Sequence, residues 1–442
     1  MKNKKLYKSF LGVSLFFFIA VAILYFTGNP DYTGPFLILG FICLANGIRG
    51  FEKLKGFSYS LWILAAVTIS MYYPEYFLSI GEFQLKLLIV PLLQIIMFGM
   101  GSQMSLNDFA GVIKMPKGVI AGIVCQFTIM PVVAISVASL FDFPPEIAAG
   151  IVLVGASPSG LASNVMSFIA KANLALSVTL TAVATLLSPL LTPFLMKTLA
   201  GSMVEVDFWN MMIGIFNMVI LPIIAGLIFN IFSLAKVSVK GKIIQLLSYF
   251  LIIVLKNFIS FQTTDLGTGG FISGIGSDVF WFMLLPVAGA FVFKYLANGN
   301  EEWLNKTLAF ISMLGIGIII TIITAAGRDS LLQVGLLLIL ASFLQNMFGY
   351  GLGYSISRFL LRMKEQDCRT IALEVGMQNG GLASGLALQM GKVATVGLAP
   401  AIFGPMMNIT GSSLATWWRN KPTGEEAEEK KQDKLIKEEN II

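Results

Sequence analysis

The sequence predicts an all-α polytopic membrane protein built as an inverted five-helix repeat with two broken helices. Three observations lead there. Of 442 residues, 56% are hydrophobic and 12% charged, against roughly a quarter charged in soluble domains. The apolar residues gather in runs of about 20 between short loops, the length that crosses a ~30 Å hydrocarbon core. Two distant segments carry the same short motif, and each places helix breakers in mid-run.

Taken in order, apolar runs fall near residues 9–28, 34–48, 57–78, 86–103, 117–141, 147–170, 174–196, 208–233, 243–261, 279–296, 308–326, 331–357, 370–391 and 397–418, fourteen candidate spans. The first follows Met1-Lys-Asn-Lys-Lys-Leu-Tyr-Lys8, a basic start like that of a signal peptide. Its apolar stretch is long, however, and Asn29-Pro-Asp-Tyr32 offers no small-residue cleavage site; the reading is an uncleaved anchor. With the N-terminus inside, fourteen passes return the C-terminus to the same side. Of the thirty Lys and Arg, Lys86, Lys197, Arg328 and Lys392 then fall outside, Lys256 falls within a span, and the remaining twenty-five fall inside. That bias is the positive-inside signature of an inner-membrane protein with both termini cytoplasmic. It also accounts for the net charge of +6 without invoking nucleic acid. The mixed Lys/Glu stretch from residue 419 to 442 reads as a solvated cytoplasmic tail.

The sequence contains no His, which excludes imidazole metal sites, His-based nucleophile activation and His proton relays. Cys43, Cys125 and Cys368 lie far apart in or beside apolar runs, a spacing that gives neither a disulfide framework nor a zinc site. No paired carboxylates or activated nucleophile lie at membrane depth, so no catalytic residue is assigned and an enzyme is not expected.

The recurring motif is Val154-Gly-Ala-Ser-Pro-Ser-Gly-Leu-Ala-Ser163 and Val375-Gly-Met-Gln-Asn-Gly-Gly-Leu-Ala-Ser384, both VG, four variable residues, then GLAS. Each lies in the fourth of five spans if residues 57–200 form one half and 201–418 the other, with a two-helix insertion at about 240–300 set aside. Residues 1–56 then supply two extra N-terminal spans. An odd number of spans per half turns the second half upside down, the construction of many secondary transporters. Ser157-Pro158-Ser159-Gly160 and Asn379-Gly380-Gly381 are the breakers, and each should split its span into half-helices. Unwound backbone is tolerated at membrane depth where it faces protein or a wet cavity. Half-helix N-termini carry positive partial charge, and freed carbonyls can hold a cation.

Among 24 acidic residues only Glu374 lies deep within a span; Glu146 and Asp278 sit at span ends. A carboxylate at the bilayer centre costs about 2.5–3.5 kcal/mol on insertion scales and calls for a partner. No basic residue in its half is placed to pair with it, which leaves a bound cation or a proton. Oxygen ligands suited to sodium lie nearby in Ser163, Asn164, Ser177, Thr181, Gln126 and Gln378. Ser177 and Thr181 are four apart and share a helix face. Lys256, about a turn and a half from a span end, is expected to snorkel to the interface.

These residues together make the sequence resemble the bile acid:sodium symporter family. Gly155-Ala-Ser-Pro-Ser-Gly-Leu-Ala-Ser-Asn-Val-Met166 is similar to its first crossover motif, and Ala175-Leu-Ser-Val-Thr-Leu-Thr181 with Ser188-Pro-Leu-Leu-Thr-Pro193 to the next helix. Glu374-Val-Gly-Met-Gln-Asn379 is similar to the second crossover motif, and Asn408-Ile-Thr-Gly-Ser-Ser-Leu-Ala-Thr-Trp417 to the last span. The resemblance implies a core domain containing the two crossing helices and a panel domain. It further implies one sodium site from Ser163, Asn164, Ser177, Thr181 and Glu374. A second would use Gln126, Glu374, Gln378 and the carbonyls of Val375 and Met377, and a substrate crevice would lie at Ser159, Gly160, Leu161, Asn379 and Gly380. Where members of the family often have Gly-Gly-Thr, this chain has Ser159-Gly160-Leu161, so the ligands of the ions are kept while a substrate contact becomes apolar.

The expectation is a symporter that imports a small organic anion with two sodium ions by alternating access. Its alternatives are proton coupling through Glu374 and a non-transporting membrane sensor on the same fold.

Overall fold

A computed structural model describes residues 2–423 except 30–31, 52–53, 106–107, 109–110, 235–236, 264–267 and 297–298. The expected tail from residue 424 to 442 lies outside the described residues. The regular elements of the described chain are helices apart from one short strand pair, Ser79–Ile80 with Phe83–Gln84, and an isolated bridge between the two interrupted spans.

Helices α1 (Lys2–Phe26) and α2 (Thr33–Ile48) form an N-terminal hairpin, α2 packs on α3 (Ser58–Tyr72), and α4 (Ile89–Gln103) and α5 (Pro116–Leu140) follow. The first interrupted span is α6 (Pro145–Ala156) and α7 (Ala162–Ile169), followed by α8 (Leu174–Leu199) and α9 (Phe208–Ser233). An inserted hairpin, α10 (Val239–Thr263) and α11 (Thr268–Leu296), precedes α12 (Glu301–Ala326) and α13 (Arg328–Leu360). The second interrupted span is α14 (Glu365–Gly376) and α15 (Gly380–Gln389), and α16 (Leu398–Arg419) closes the described fold. Ten of the described helices are long and apolar enough to cross a membrane, and the chain is an integral membrane protein.

Helix ends follow local chemistry. The third apolar run was expected to reach residue 78, but α3 stops at Tyr72. Tyr73 precedes Pro74, whose ring disfavours helical backbone in the residue before it, and Tyr73 takes φ −130°, ψ 56°. Inside α9, a π turn at Phe216–Ile220 precedes Pro222, absorbing the carbonyl that a proline ring displaces.

The most buried part of the molecule gathers α5, α6, α8, α9, α13, α14 and α16, with Met130, Leu153, Leu176, Ile215, Ile371 and Phe403 almost fully enclosed. Lipid tails are as apolar as Leu, so close backbone approach, rather than hydrophobicity alone, selects these contacts. At Gly101 a Cβ would lie 2.1 Å from the Ile223 carbonyl oxygen, so α4 and α9 meet only because this residue lacks one. The periphery differs: α1 rests on α2 and leaves Phe16 and Phe26 exposed to the hydrocarbon.

The inserted hairpin corrects one expectation. Lys256 does not snorkel; it is buried and its Nζ donates to Asp278 Oδ2 at 3.0 Å, while Asn257 Nδ2 donates to the same oxygen at 2.8 Å. The two long helices place the lysine beside a carboxylate, and an ion pair in a dry helix interface outcompetes a stretched side chain reaching for water.

Candidate cation and substrate site

Both interruptions arise from local sequence. α6 ends before Pro158, and Ser157 is extended at φ −78°, ψ 154°, as a residue preceding proline prefers. In the second span Met377 is extended at φ −112°, ψ 100°. Asn379 then caps α15, its Oδ1 accepting from Leu382 N at 3.0 Å. The two unwound segments pair as a short antiparallel bridge, with Gly160 N donating to the Met377 carbonyl at 2.9 Å and Asn379 N to the Pro158 carbonyl at 2.8 Å. Each break thereby satisfies backbone groups left orphaned by the other, which is how irregular backbone survives at membrane depth.

Glu374, in the last turn of α14 and 2% exposed, meets the end of α7 and the face of α8. Ser163 Oγ lies 2.6 Å and Ser177 Oγ 2.5 Å from its Oε1, and Thr181 Oγ1 lies 2.9 Å from Oε2. The same hydroxyls have further oxygen neighbours. Ser177 is 2.8 Å and Thr181 3.2 Å from Asn164 Oδ1, Ser163 is 2.8 Å from the Gly160 carbonyl, and Ser163 and Thr181 are 3.4 Å apart. Each hydroxyl has one proton to give. Three protons cannot fill all these contacts, so several oxygen pairs stand at hydrogen-bond distance without a hydroxyl proton for each. No Lys or Arg salt bridge reaches Glu374 among the described residues. The donor set of hydroxyls, an amide oxygen and a carboxylate is what a hard monovalent cation prefers.

The second expected group also comes together. Gln126 Nε2, from α5, donates to Gln378 Oε1 at 2.7 Å and to the Ser157 carbonyl at 3.0 Å, and Gln378 Nε2 donates to the Val375 carbonyl at 2.5 Å. The Met377 carbonyl is held by the bridge already described. Gln126 Oε1 is buried and has no hydrogen-bond partner among the described residues. A buried acceptor without a donor costs about 1–3 kcal/mol, and a cation here would supply the missing positive charge. The Ser159 hydroxyl is buried as well and has no hydrogen-bond partner among the described residues.

Beside the crossing lies a crevice of about 240 Å³. Gly160, Leu161, Asn379 and Gly380 line it; Ser159 does not, being turned into the protein behind the wall. The remaining wall is mostly Leu, Ile and Met from α4, α12 and α16, with Tyr59, Ser312, Gln378, Ser384 and Asn408 as polar groups, and among the described residues no Asp, Glu, Lys or Arg lines it. α7 and α15 both begin at its edge, so two helix N-termini supply partial positive charge to a space without basic side chains.

Two supporting groups were not foreseen. Arg369, five residues before Glu374 on α14, is 1% exposed. It donates to the carbonyls of Ala170, Trp418 and Pro422 at 3.1, 3.1 and 2.9 Å and to Glu365 Oε1 at 2.9 Å. It fastens the ends of α7 and α16 and is fully engaged away from Glu374. On α13, Gln345 Nε2 donates to the Ile151 carbonyl of α6 at 3.2 Å, and Asn346 Nδ2 to the Gly376 carbonyl of α14 at 2.6 Å. Polar residues at mid-span were the available signal for Gln345 and Asn346.

Comparison with known proteins points to one family. A family model described as the Sodium Bile acid symporter family matches residues 90–266. The chain is similar to the uncharacterized sodium-dependent transporter YocS of Bacillus subtilis (strain 168), 32% identical over 375 residues that cover 85% of this chain and 94% of that one. It is similar also to the probable chloroplastic sodium/metabolite cotransporter BASS1 of Arabidopsis thaliana, 30% identical over 327 residues covering 74% and 65% of the two chains. The probable chloroplastic sodium/metabolite cotransporter BASS2 of Oryza sativa subsp. japonica is 27% identical over 377 residues, 85% and 74% of the two. A polytopic helical chain whose interrupted helices cross at a buried carboxylate, related over most of its length to YocS, belongs to the sodium bile acid symporter family.

Proposed function

We propose that this protein is a sodium-coupled symporter that imports an organic anion by alternating access, with residues 57–200 and 201–418 as inverted halves. The observation that carries the reading is the shortage of protons around Glu374. Two sodium ions resolve it, one among Ser163, Asn164, Ser177, Thr181 and Glu374, the other among Gln126, Gln378, Glu374 and the Val375 and Met377 carbonyls. The names of the relatives, sodium-dependent transporter and sodium/metabolite cotransporter, support sodium as the coupling ion.

Bound sodium neutralises the carboxylate and stiffens the crossing segments, which in turn form one wall of the crevice at Gly160, Leu161, Asn379 and Gly380. An anionic group then meets two helix N-termini near two cations, while the Leu, Ile and Met wall takes the apolar body. Ordering the same wall makes each ligand favour a conformation that the other also favours, the condition for coupling.

One observation also favours a proton: a protonated Glu374 adds a donor to the cluster. It adds one only, and it leaves Gln126 Oε1 without a partner. The two readings separate in proteoliposomes. A thermal-shift screen of organic anions identifies a ligand, and its uptake is then measured with sodium replaced by choline at fixed pH. The sodium reading expects uptake to collapse; uptake that persists in choline and follows a pH gradient would establish the proton.

A further inference from the structure

At the end of α14 one backbone carbonyl finds a partner that belongs to neither interrupted helix. In a continuing helix the carbonyls of Val375, Gly376 and Met377 would accept from the amides four residues on. The break removes those donors. Val375 accepts instead from Gln378 Nε2 and Met377 from Gly160 N, both groups of the crossing itself. Gly376, between them, accepts from Asn346 Nδ2 of α13 at 2.6 Å.

Asn346 is itself locked. It is 0% exposed; its Oδ1 accepts from Thr410 Oγ1 of α16, and the Tyr350 hydroxyl lies 3.4 Å from that threonine oxygen and 3.3 Å from the Met407 carbonyl. α14 passes so close to α13 that a Cβ on Gly376 would stand 2.1 Å from Tyr350 Cδ1. The amide therefore has one orientation available, donor towards Gly376 and acceptor towards Thr410.

We infer that Asn346 is a positioning residue for the second cation position. By holding the Gly376 carbonyl towards α13, it fixes the peptide planes on either side, so that the Val375 and Met377 carbonyls point towards Gln126, Gln378 and Glu374. Nothing in its position lets Asn346 touch the ion; it acts through the backbone. Thr410 acts one step further out, by fixing the amide's rotamer. Gln126 stands in the corresponding relation to the other break, donating to the Ser157 carbonyl, except that it also faces the cation position.

This inference rests on the two-sodium reading proposed above, and the test separates the two. Equilibrium binding of radiolabelled sodium is measured on the purified full chain in a potassium background, for the unsubstituted protein and for Asn346→Leu, Thr410→Val and Thr410→Ser. The unsubstituted protein should bind two ions per chain. Asn346→Leu should keep one at unchanged affinity, the ion held by the hydroxyl cluster, and bind the other at least about tenfold more weakly, as loss of a buried hydrogen bond to a constrained group allows. The retained ion reports that the variant is folded. Thr410→Val should weaken the same ion by a smaller factor, and Thr410→Ser, which keeps the hydroxyl, should restore it. Where Asn346→Leu yields no folded protein, the Thr410 pair carries the test. Two ions bound to Asn346→Leu at unchanged affinities, equal weakening of both ions, or no difference between Thr410→Val and Thr410→Ser would overturn the role of Asn346 while leaving the two-sodium reading intact. Absence of sodium binding to the unsubstituted chain would overturn both.

Discussion

At the scale of single residues, the site is a problem in counting charges and protons. Glu374 is buried among oxygens whose hydroxyl protons are too few, and its free energy of burial must be offset by something positive. Removing one proposed hydroxyl ligand by Ser177→Ala should therefore raise the sodium concentration for half-maximal uptake by about tenfold, the scale of a charge-assisted contact, with little change in the anion's own affinity at saturating sodium. A response in anion affinity alone would place Ser177 in the crevice instead. Leu161 gives the complementary case. It lines the crevice and is 37% exposed, and its link to the cluster runs through the backbone, its carbonyl accepting from Asn164 N at 3.2 Å. Leu161→Thr should change which anions shift the melting temperature while leaving the sodium dependence of uptake as it was; a changed sodium dependence would contradict that separation of wall and ion site.

At the scale of elements, polar contacts buried between helices join neighbouring helices. Lys256 and Asp278 join α10 to α11. Breaking one side of such a pair leaves an uncompensated charge in a dry interface, a loss of about 3–5 kcal/mol, whereas replacing both partners with apolar groups is often neutral. Lys256→Met should thus lower the melting temperature sharply, and Lys256→Met with Asp278→Leu should recover most of it; equal losses in the single and double variants would show that the pair contributes nothing beyond its separate parts. Glu374, Ser163, Ser177 and Thr181 were legible in the sequence because polar atoms at membrane depth are costly and because four-residue spacing places two hydroxyls on one face. The breaks were legible in Pro158 and Asn379-Gly380-Gly381. Lys256 was misread because its depth is a property of one helix, while its partner, 22 residues away, becomes visible only when the rotation of both helices is known. Arg369 stayed hidden for the same reason: its acceptors are backbone carbonyls at the ends of two other helices, and a carbonyl carries no sequence signature. The end of α3 was overrun because apolar residues continue past Tyr73-Pro74 although helical backbone does not.

At the scale of the whole molecule, two interrupted helices meet at one antiparallel bridge, with the Glu374 hydroxyl cluster on one side and an uncharged crevice on the other. Two cations accompanying a monoanion carry net positive charge inward. Uptake in proteoliposomes should accordingly accelerate under an inside-negative potential set with potassium and valinomycin, and insensitivity to that potential would contradict the two-ion stoichiometry. The N-terminal hairpin of α1 and α2 lies at the edge of the fold, on α3, away from the crossing.

The claim on which all of this depends is that sodium is the counter-charge of Glu374. A ligand that binds the folded state raises its stability in proportion to the logarithm of its concentration above Kd, so the melting temperature of the purified protein measures it directly, in NaCl against KCl at equal ionic strength. The unsubstituted protein should melt higher in sodium than in potassium, increasingly with concentration, and Glu374→Ala should melt at the same temperature in both. An equal sodium-specific rise in the two proteins would contradict the claim.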